Sequence, residues 1–113
     1  MHELAIMDSA LNLALDQAQK AGANHIHLIR LRIGVLSGVV PEALQFAFEA
    51  LAPGTLAEGA ALDIQHVPAR FWCQDCTREF ESDDLFSECP NCHRPSGELR
   101  AGREMELACM EIE

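Results

Sequence analysis

Apolar residues recur at helical spacing in the first part of the chain. Leu4, Met7, Leu11, Ala14, Leu15 and Ala18 share one stripe, and Asp8, Asp16 and Gln19 lie off it. The pattern predicts a helix over about 3–21, with Gly22 as its C-cap. From His25 to Val35 the period changes to two: Ile29, Leu31, Ile33 and Val35 fall on one face, Arg30 and Arg32 on the other, which predicts a strand. After a turn at Ser37-Gly38, Pro41 stands where a helix accepts proline, in its first turn, with Glu42 beside it to meet the dipole. Leu44, Phe48 and Leu51 give this second helix a buried stripe, and Pro53-Gly54 ends it. Leu62, Ile64 and Val67 mark a second strand, stopped by Pro68. The tail from Met105 to Ile112 reads as a third long strand. Its apolar phase changes between Cys109 and Met110, which predicts a bulge or burial on both faces.

The segment over 70–103 has a different character. Its large apolar residues are few: Phe71, Trp72, Phe80, Leu85, Phe86 and Leu99. A piece of about 34 residues with so little to bury rarely holds together without a staple. The third strand needs a sheet, and the other two strands lie before this segment, so the segment is an insertion. The expected fold class is α+β: a small mixed three-stranded sheet with two helices, built discontinuously from 1–69 and 104–113, plus an inserted zinc-ribbon-like module over 70–103.

The staple is supplied by four cysteines in two pairs, Cys73-Gln-Asp-Cys76 and Cys89-Pro-Asn-Cys92, separated by twelve residues. Zinc bound tetrahedrally, with Zn–S bonds of about 2.3 Å, needs thiolates roughly 3.8 Å apart, and a Cys-x-x-Cys turn brings two sulfurs that close. With all four positions cysteine, the expected site is closed and structural, with no position left for a substrate. Three other readings compete. Two disulfides would need an oxidising compartment. The N-terminal stretch shows no export pattern and no apolar run reaches the roughly 18 residues of a membrane span, so a cytoplasmic protein without a membrane segment is expected. A thioredoxin-like pair explains one Cys-x-x-Cys but not both. Cys89-Pro-Asn-Cys92-His93 matches a c-haem attachment pattern but leaves Cys73 and Cys76 unexplained. Cys109, the odd one, reads as a small buried residue of the last strand.

Charge narrows the partners. Eight basic residues stand against eighteen acidic ones, for a formal net charge of −10. Nucleic-acid binding relies on neutralising phosphates with Lys and Arg, so nucleic acid is not an expected partner. Nothing in the chain supplies a nucleophile–base pair, a phosphate loop or paired catalytic carboxylates, and no enzymatic activity is expected.

The extreme N-terminus, Met1-His2-Glu3, has an unusual set of donors. The bulk of His2 should keep Met1 in place. The Met1 amine, the amide nitrogens of His2 and Glu3, and the His2 Nδ1 can then form five- and six-membered chelate rings, and such nitrogen ligation suits Ni(II) or Cu(II). The plain reading of such a histidine is a solvated chain end. His25, His27 and His66 read as polar-face or hydrogen-bonded strand residues, and His93 as a loop residue next to a zinc ligand that could swap in or support it.

Taken in order, Met1-His2-Glu3-Leu4, Ile33-Gly34-Val35-Leu36-Ser37, the stretch Pro41 to Glu49, Gly54-Thr55, the paired Cys-x-x-Cys motifs with Cys89-Pro-Asn-Cys92-His93, and the closing strand resemble the hydrogenase nickel incorporation proteins of the HypA/HybF family over the whole length. The resemblance implies a nickel metallochaperone with transferable Ni(II) at Met1, His2 and Glu3, and structural Zn(II) at Cys73, Cys76, Cys89 and Cys92. It implies a nickel-handling GTPase maturation factor and the precursor of the [NiFe]-hydrogenase large subunit as partners, and it is compatible with a homodimer. Some members draw a further nickel contact from an acidic residue near the start of the second helix; here that stretch reads Gly38-Val39-Val40. The alternative function is a zinc-ribbon interaction module with no transferable metal.

Overall fold

The computed structural model describes residues 2–82 and 87–113. Helix α1 (Glu3–Lys20) leads into β1 (Ile26–Gly34), α2 (Pro41–Leu51) and β2 (Ala61–Val67). The cysteine segment follows with β3 (Arg70–Cys73), β4 (Arg78–Glu81), β5 (Ser87–Glu88), β6 (Pro95–Ser96) and β7 (Leu99–Ala101), and β8 (Met105–Ile112) closes the chain.

Local chemistry sets the ends of both helices. Gly22, at φ 73°, lies just beyond the last helical residues of α1. Its N–H donates to the Gln19 carbonyl and the Ala23 N–H reaches back to the Ala18 carbonyl, a pair of bonds that satisfies carbonyls left over at a helix end. Pro41 occupies the first turn of α2, where its missing N–H costs nothing.

The first sheet has the order β2-β1-β8 and is mixed. β1 and β2 run parallel, with Leu28 opposite Ala61 and Gly34 opposite Val67. Parallel neighbours need a crossover, and α2 is the crossover. β8 pairs antiparallel with β1, from Ile26 opposite Ile112 to Ile33 opposite Met105. Helices and sheet share one core: Met7, Leu11, Ala14 and Ala18 of α1, Leu44, Ala47 and Phe48 of α2, and Ile26, Ile29, Leu31 and Ile33 of β1. Burial of each large aliphatic among them contributes about 1.5–3 kcal/mol. Across the sheet, Arg30 pairs with Asp63 and Arg32 with Glu106.

Three sequence expectations are corrected. Val35 lies beyond the end of β1 and is exposed, because the strand stops at Gly34. Leu4, in the first turn of α1, is also exposed. Cys109 is exposed rather than buried. The register of β8 shifts between the partners of Arg30 and Leu31, so Ala108 is passed over and Cys109 stands opposite Arg30 on the sheet's polar face. The bulge expected near Cys109–Met110 is therefore present, one residue earlier.

The inserted module makes its own small sheets, β4-β3-β7 and the pair β5-β6. It joins the first sheet where three backbones touch. A Cβ on Gly34 would stand 2.1 Å from the carbonyl atoms of Gly102, and one on Gly102 (φ 125°) would stand 2.8 Å from the Ala69 Cα. Leu36 N–H donates to the Gly102 carbonyl and Gly34 N–H to the Glu104 carbonyl across the same joint. The molecule is long, 53 × 25 × 16 Å, with a radius of gyration of 17.3 Å, against about 13 Å for a single compact domain of this length.

Candidate metal centre

The hairpin of β3 and β4 turns through the first cysteine pair, with Cys73 ending β3 and Cys76 in the turn. The second pair lies between β5 and β6, in a turn closed by His93 N–H to the Cys89 carbonyl and Cys89 N–H to the Arg94 carbonyl. Alternation in β3 sends Phe71 and Cys73 inward. Phe71 stacks on Phe80 with ring centroids 5.8 Å apart, and with Ala69, Cys73 and Cys89 these rings form a second core. Trp72 turns outward under the Arg100 guanidinium, 4.7 Å from its ring centre.

The two turns face each other, so all four sulfurs lie within 4.8 Å of one another. Cys73 Sγ is 3.5 Å from Cys92 Sγ, and Cys89 Sγ is 3.8 Å from Cys76 Sγ. These separations match the edges of a thiolate tetrahedron around zinc, about 3.8 Å. All five cysteines are free thiols. The four converge on one point, across pairs as well as within them, which fits neither two disulfides nor a haem clasp. The donor set, four soft sulfurs with two of them buried, fits a closed structural zinc site.

The polypeptide is arranged to hold negative charge here. Cys76 N–H points at Cys73 Sγ at 3.5 Å, and the Asn91 side-chain amide donates to Cys76 Sγ at 3.2 Å. Hydrogen bonding from the Cys92 and Asn91 backbone amides, aided by the neighbouring thiols and opposed by burial, brings the Cys89 thiol down to about 6. At Cys92 the Arg94 amide favours the thiolate, but burial and the three neighbouring thiols outweigh it and push that thiol up to about 12. One proton leaves the cluster early and another is held late, as expected for like charges crowded into one site. Thr77 and His93, each directly after the second cysteine of its pair, adopt left-handed φ values of 51° and 62°. The two turns are thus built alike, a likeness the sequence does not display, since neither position is glycine.

The N-terminal candidates lie at the start of α1. His2 is the N-cap, with φ −92° and ψ 86°, and is exposed. The Met1 amine lies outside the described residues. The Glu3 carboxylate accepts the Val40 N–H at 3.0 Å, tying the start of α1 to the start of α2. That bond, with a further one from its own amide, holds the Glu3 carboxyl below its usual range. This tie was not legible in the sequence, because it spans two elements whose approach only the fold creates. His66 on β2 and His93 are exposed. Four arginines of the two sheets and the cysteine turns, Arg30, Arg32, Arg70 and Arg94, pair with Asp63, Glu106, Glu81 and Asp75, which leaves little free positive surface for a polyanion. Among the described residues no helix is long and apolar enough to cross a membrane.

A small α+β domain interrupted by a module of four converging cysteines defines a metal-handling protein whose metal cluster is built into its fold. Residues 1–112 match the family described as "Hydrogenase/urease nickel incorporation, metallochaperone, hypA". The chain belongs to this HypA family. It is 48% identical to the hydrogenase maturation factor HypA of Picosynechococcus, over 99% of both chains, and 40% identical to that of Methylocella silvestris over the full length of both. Its structure resembles the solution structure of the Ni metallochaperone HypA from Helicobacter pylori, with a TM-score of 0.67, 29% identity, and coverage of 99% of this chain and 97% of that one. A second solution structure of a HypA protein superposes with a TM-score of 0.73, also at 29% identity, covering 100% of this chain and 97% of that one.

Proposed function

We propose that this chain carries Ni(II) on its N-terminus and hands it, in the cytoplasm, to the precursor of a [NiFe]-hydrogenase large subunit. A GTPase maturation factor would supply the energy-consuming step, and this chain would catalyse nothing itself. The nickel donors are the Met1 amine, the His2 amide and Nδ1, and the Glu3 amide. Zinc is held by Cys73, Cys76, Cys89 and Cys92, and residues 70–103 act as the unit it folds; bound there, zinc supplies cross-linking and no reactivity.

The observation that carries this reading is the local build of the N-terminus. The first intrahelical bond of α1 runs from Ile6 N–H to the His2 carbonyl. The amide of Glu3 has no carbonyl one turn back, so a metal that takes it displaces only its bond to its own carboxylate and leaves the helix whole. The Glu3 carboxylate, held to Val40, fixes the direction of that turn while the His2 ring stays in solvent. An exposed, nitrogen-rich site releases its metal readily, as a cargo site must, and filling the thiolate cage with zinc keeps nickel out of it.

Calorimetric titration with Ni(II) tests the reading on three zinc-loaded proteins: one with its native terminus, one with a short Gly-Ser extension before Met1, and His2→Ala. Both altered forms should lose the tight phase and keep one zinc per chain. An extended protein that binds nickel as well as the native one removes the amine from the ligand set. Normal binding by His2→Ala removes the N-terminal site and moves the nickel to His25, His27, His66 or His93, whereas no tight phase even with the native terminus leaves the zinc-ribbon interaction module as the reading.

A further inference from the structure

Two histidines meet at the other end of the domain. His25 and His27 flank Ile26 where β1 begins, with ring centroids 4.6 Å apart and Nδ1 atoms 3.2 Å apart. The second nitrogen of each ring is already engaged. His25 Nε2 lies 2.9 Å from the Glu58 carbonyl oxygen. A carbonyl can only accept, so Nε2 carries the proton. His27 Nε2 lies 3.1 Å from Glu113 Oε2, and an ionised carboxylate likewise only accepts. With both Nε2 atoms protonated, the Nδ1 lone pairs of the two neutral rings face each other. Lone pairs this close repel unless a cation shares them.

The separation suits a metal ion. Bonds of about 2.0–2.1 Å from one ion to two nitrogens 3.2 Å apart subtend about 100°, the angle of neighbouring ligands in a tetrahedral or slightly opened octahedral shell. The engaged Nε2 atoms complete the pattern, since metal-bound histidines generally donate their other N–H to a carboxylate or a backbone carbonyl. The frame is fixed by three chain segments. Glu113 N–H donates to the His25 carbonyl at 2.9 Å, Asn24 N–H to the Glu113 carbonyl at 2.7 Å, and Ile26 N–H to the Leu56 carbonyl at 2.8 Å.

We propose that His25 and His27 form a second metal clamp, taking a borderline divalent cation of the nickel, copper or zinc class through their two Nδ1 atoms, with Glu58 and Glu113 orienting the rings. Imidazole donors select this class over magnesium or calcium. Water completes the shell, so the ion is held less tightly than by the four thiolates and is exchangeable. The 18 residues of α1 place the clamp about 27 Å from His2, too far for one ion to be shared. The proposal is therefore independent of the N-terminal reading.

The test uses zinc-loaded protein with His2→Ala, which removes the imidazole of the N-terminal site, titrated with Ni(II). Calorimetry gives the stoichiometry, and paramagnetic broadening of amide resonances maps the ion. The expected result is one Ni(II) per chain, broadening residues 24–28, 56–58 and 111–113, with affinity lowered about tenfold or more by His27→Gln in the same background. His25 also anchors the Glu58 segment, so His27→Gln is the informative ligand variant. Glu113→Gln is the second: it leaves both Nδ1 atoms in place and should weaken nickel binding about tenfold, with zinc content and melting temperature unchanged. Absence of nickel binding to the His2→Ala protein, broadening elsewhere, or equal affinity after His27→Gln would each overturn the clamp. A proton shared by the two rings that nickel fails to displace would overturn it as well.

Discussion

Thr77 and His93 occupy a backbone region that L side chains avoid, at φ 51° and 62°. The left-handed conformation costs a non-glycine residue about 1–2 kcal/mol, and a β-branched one suffers most. Thr77→Gly should therefore stabilise the zinc-loaded protein by about 1 kcal/mol, read as a higher melting temperature; a lower one would show that the bond from Thr77 Oγ1 to the Cys76 carbonyl outweighs the strain. The thiols give a second prediction. Cys92 holds its proton up to about 12, so zinc uptake at neutral pH must expel it. Cys89, brought down to about 6, is mostly ionised there already. The depressed group favours the metal-ready form above its folded value and loses that advantage as pH falls through it. Apparent zinc affinity should thus fall with acidification throughout and steepen below about 6, by about a further factor of ten per pH unit. Competition with a chelator at several pH values measures it, and a slope unchanged across pH 6 would reject the assignment to Cys89.

At the scale of elements, what the sequence shows depends on what holds each element together. α1, α2 and the three long strands bury apolar stripes, so Met7, Leu11, Leu44, Phe48, Ile29 and Ile33 announce them. The strands of the cysteine module are only two to four residues long, too short for a period to register. Their positions follow from the metal turns, and the sequence reports those only as cysteine spacing. The four cysteines were legible as a set, but the sulfur-directed amides of Asn91 and Arg94 were not. Exposed Cys109 was misjudged because the bulge of β8 lies just before it, not just after it, which puts its side chain opposite Arg30 on the polar face. Gly34 looked like part of a strand, and its role as the floor of the joint appears only in three dimensions. Gly34→Ala would drive a methyl group to 2.1 Å from the Gly102 backbone. The expected cost is about 3 kcal/mol or more, seen as a fall in the denaturant midpoint, whereas Gly22→Ala meets no neighbour and should cost only its own left-handed strain.

On the scale of the whole molecule, the sheet is completed from both sides of the metal module. β8 pairs with β1 only after the chain has passed through 68–104, so those residues act as a tether between β2 and β8. Left disordered, a tether of that length makes strand closure cost about 3 kcal/mol of chain entropy. Folded, its two ends already lie together, with Gly102 against Ala69, and most of that cost is gone. An ion at the cysteines thus shortens the effective loop and strengthens a strand that touches none of its ligands. Stripping the metal should speed hydrogen exchange along β8 and at its partner amides in β1, while the amides of α1, packed on α2 and β1, stay protected. Unchanged protection in β8 would mean that the two sheets are mechanically separate. Accelerated exchange there would mean that metal occupancy governs a remote edge of the fold by setting the effective length of the loop that leads to it.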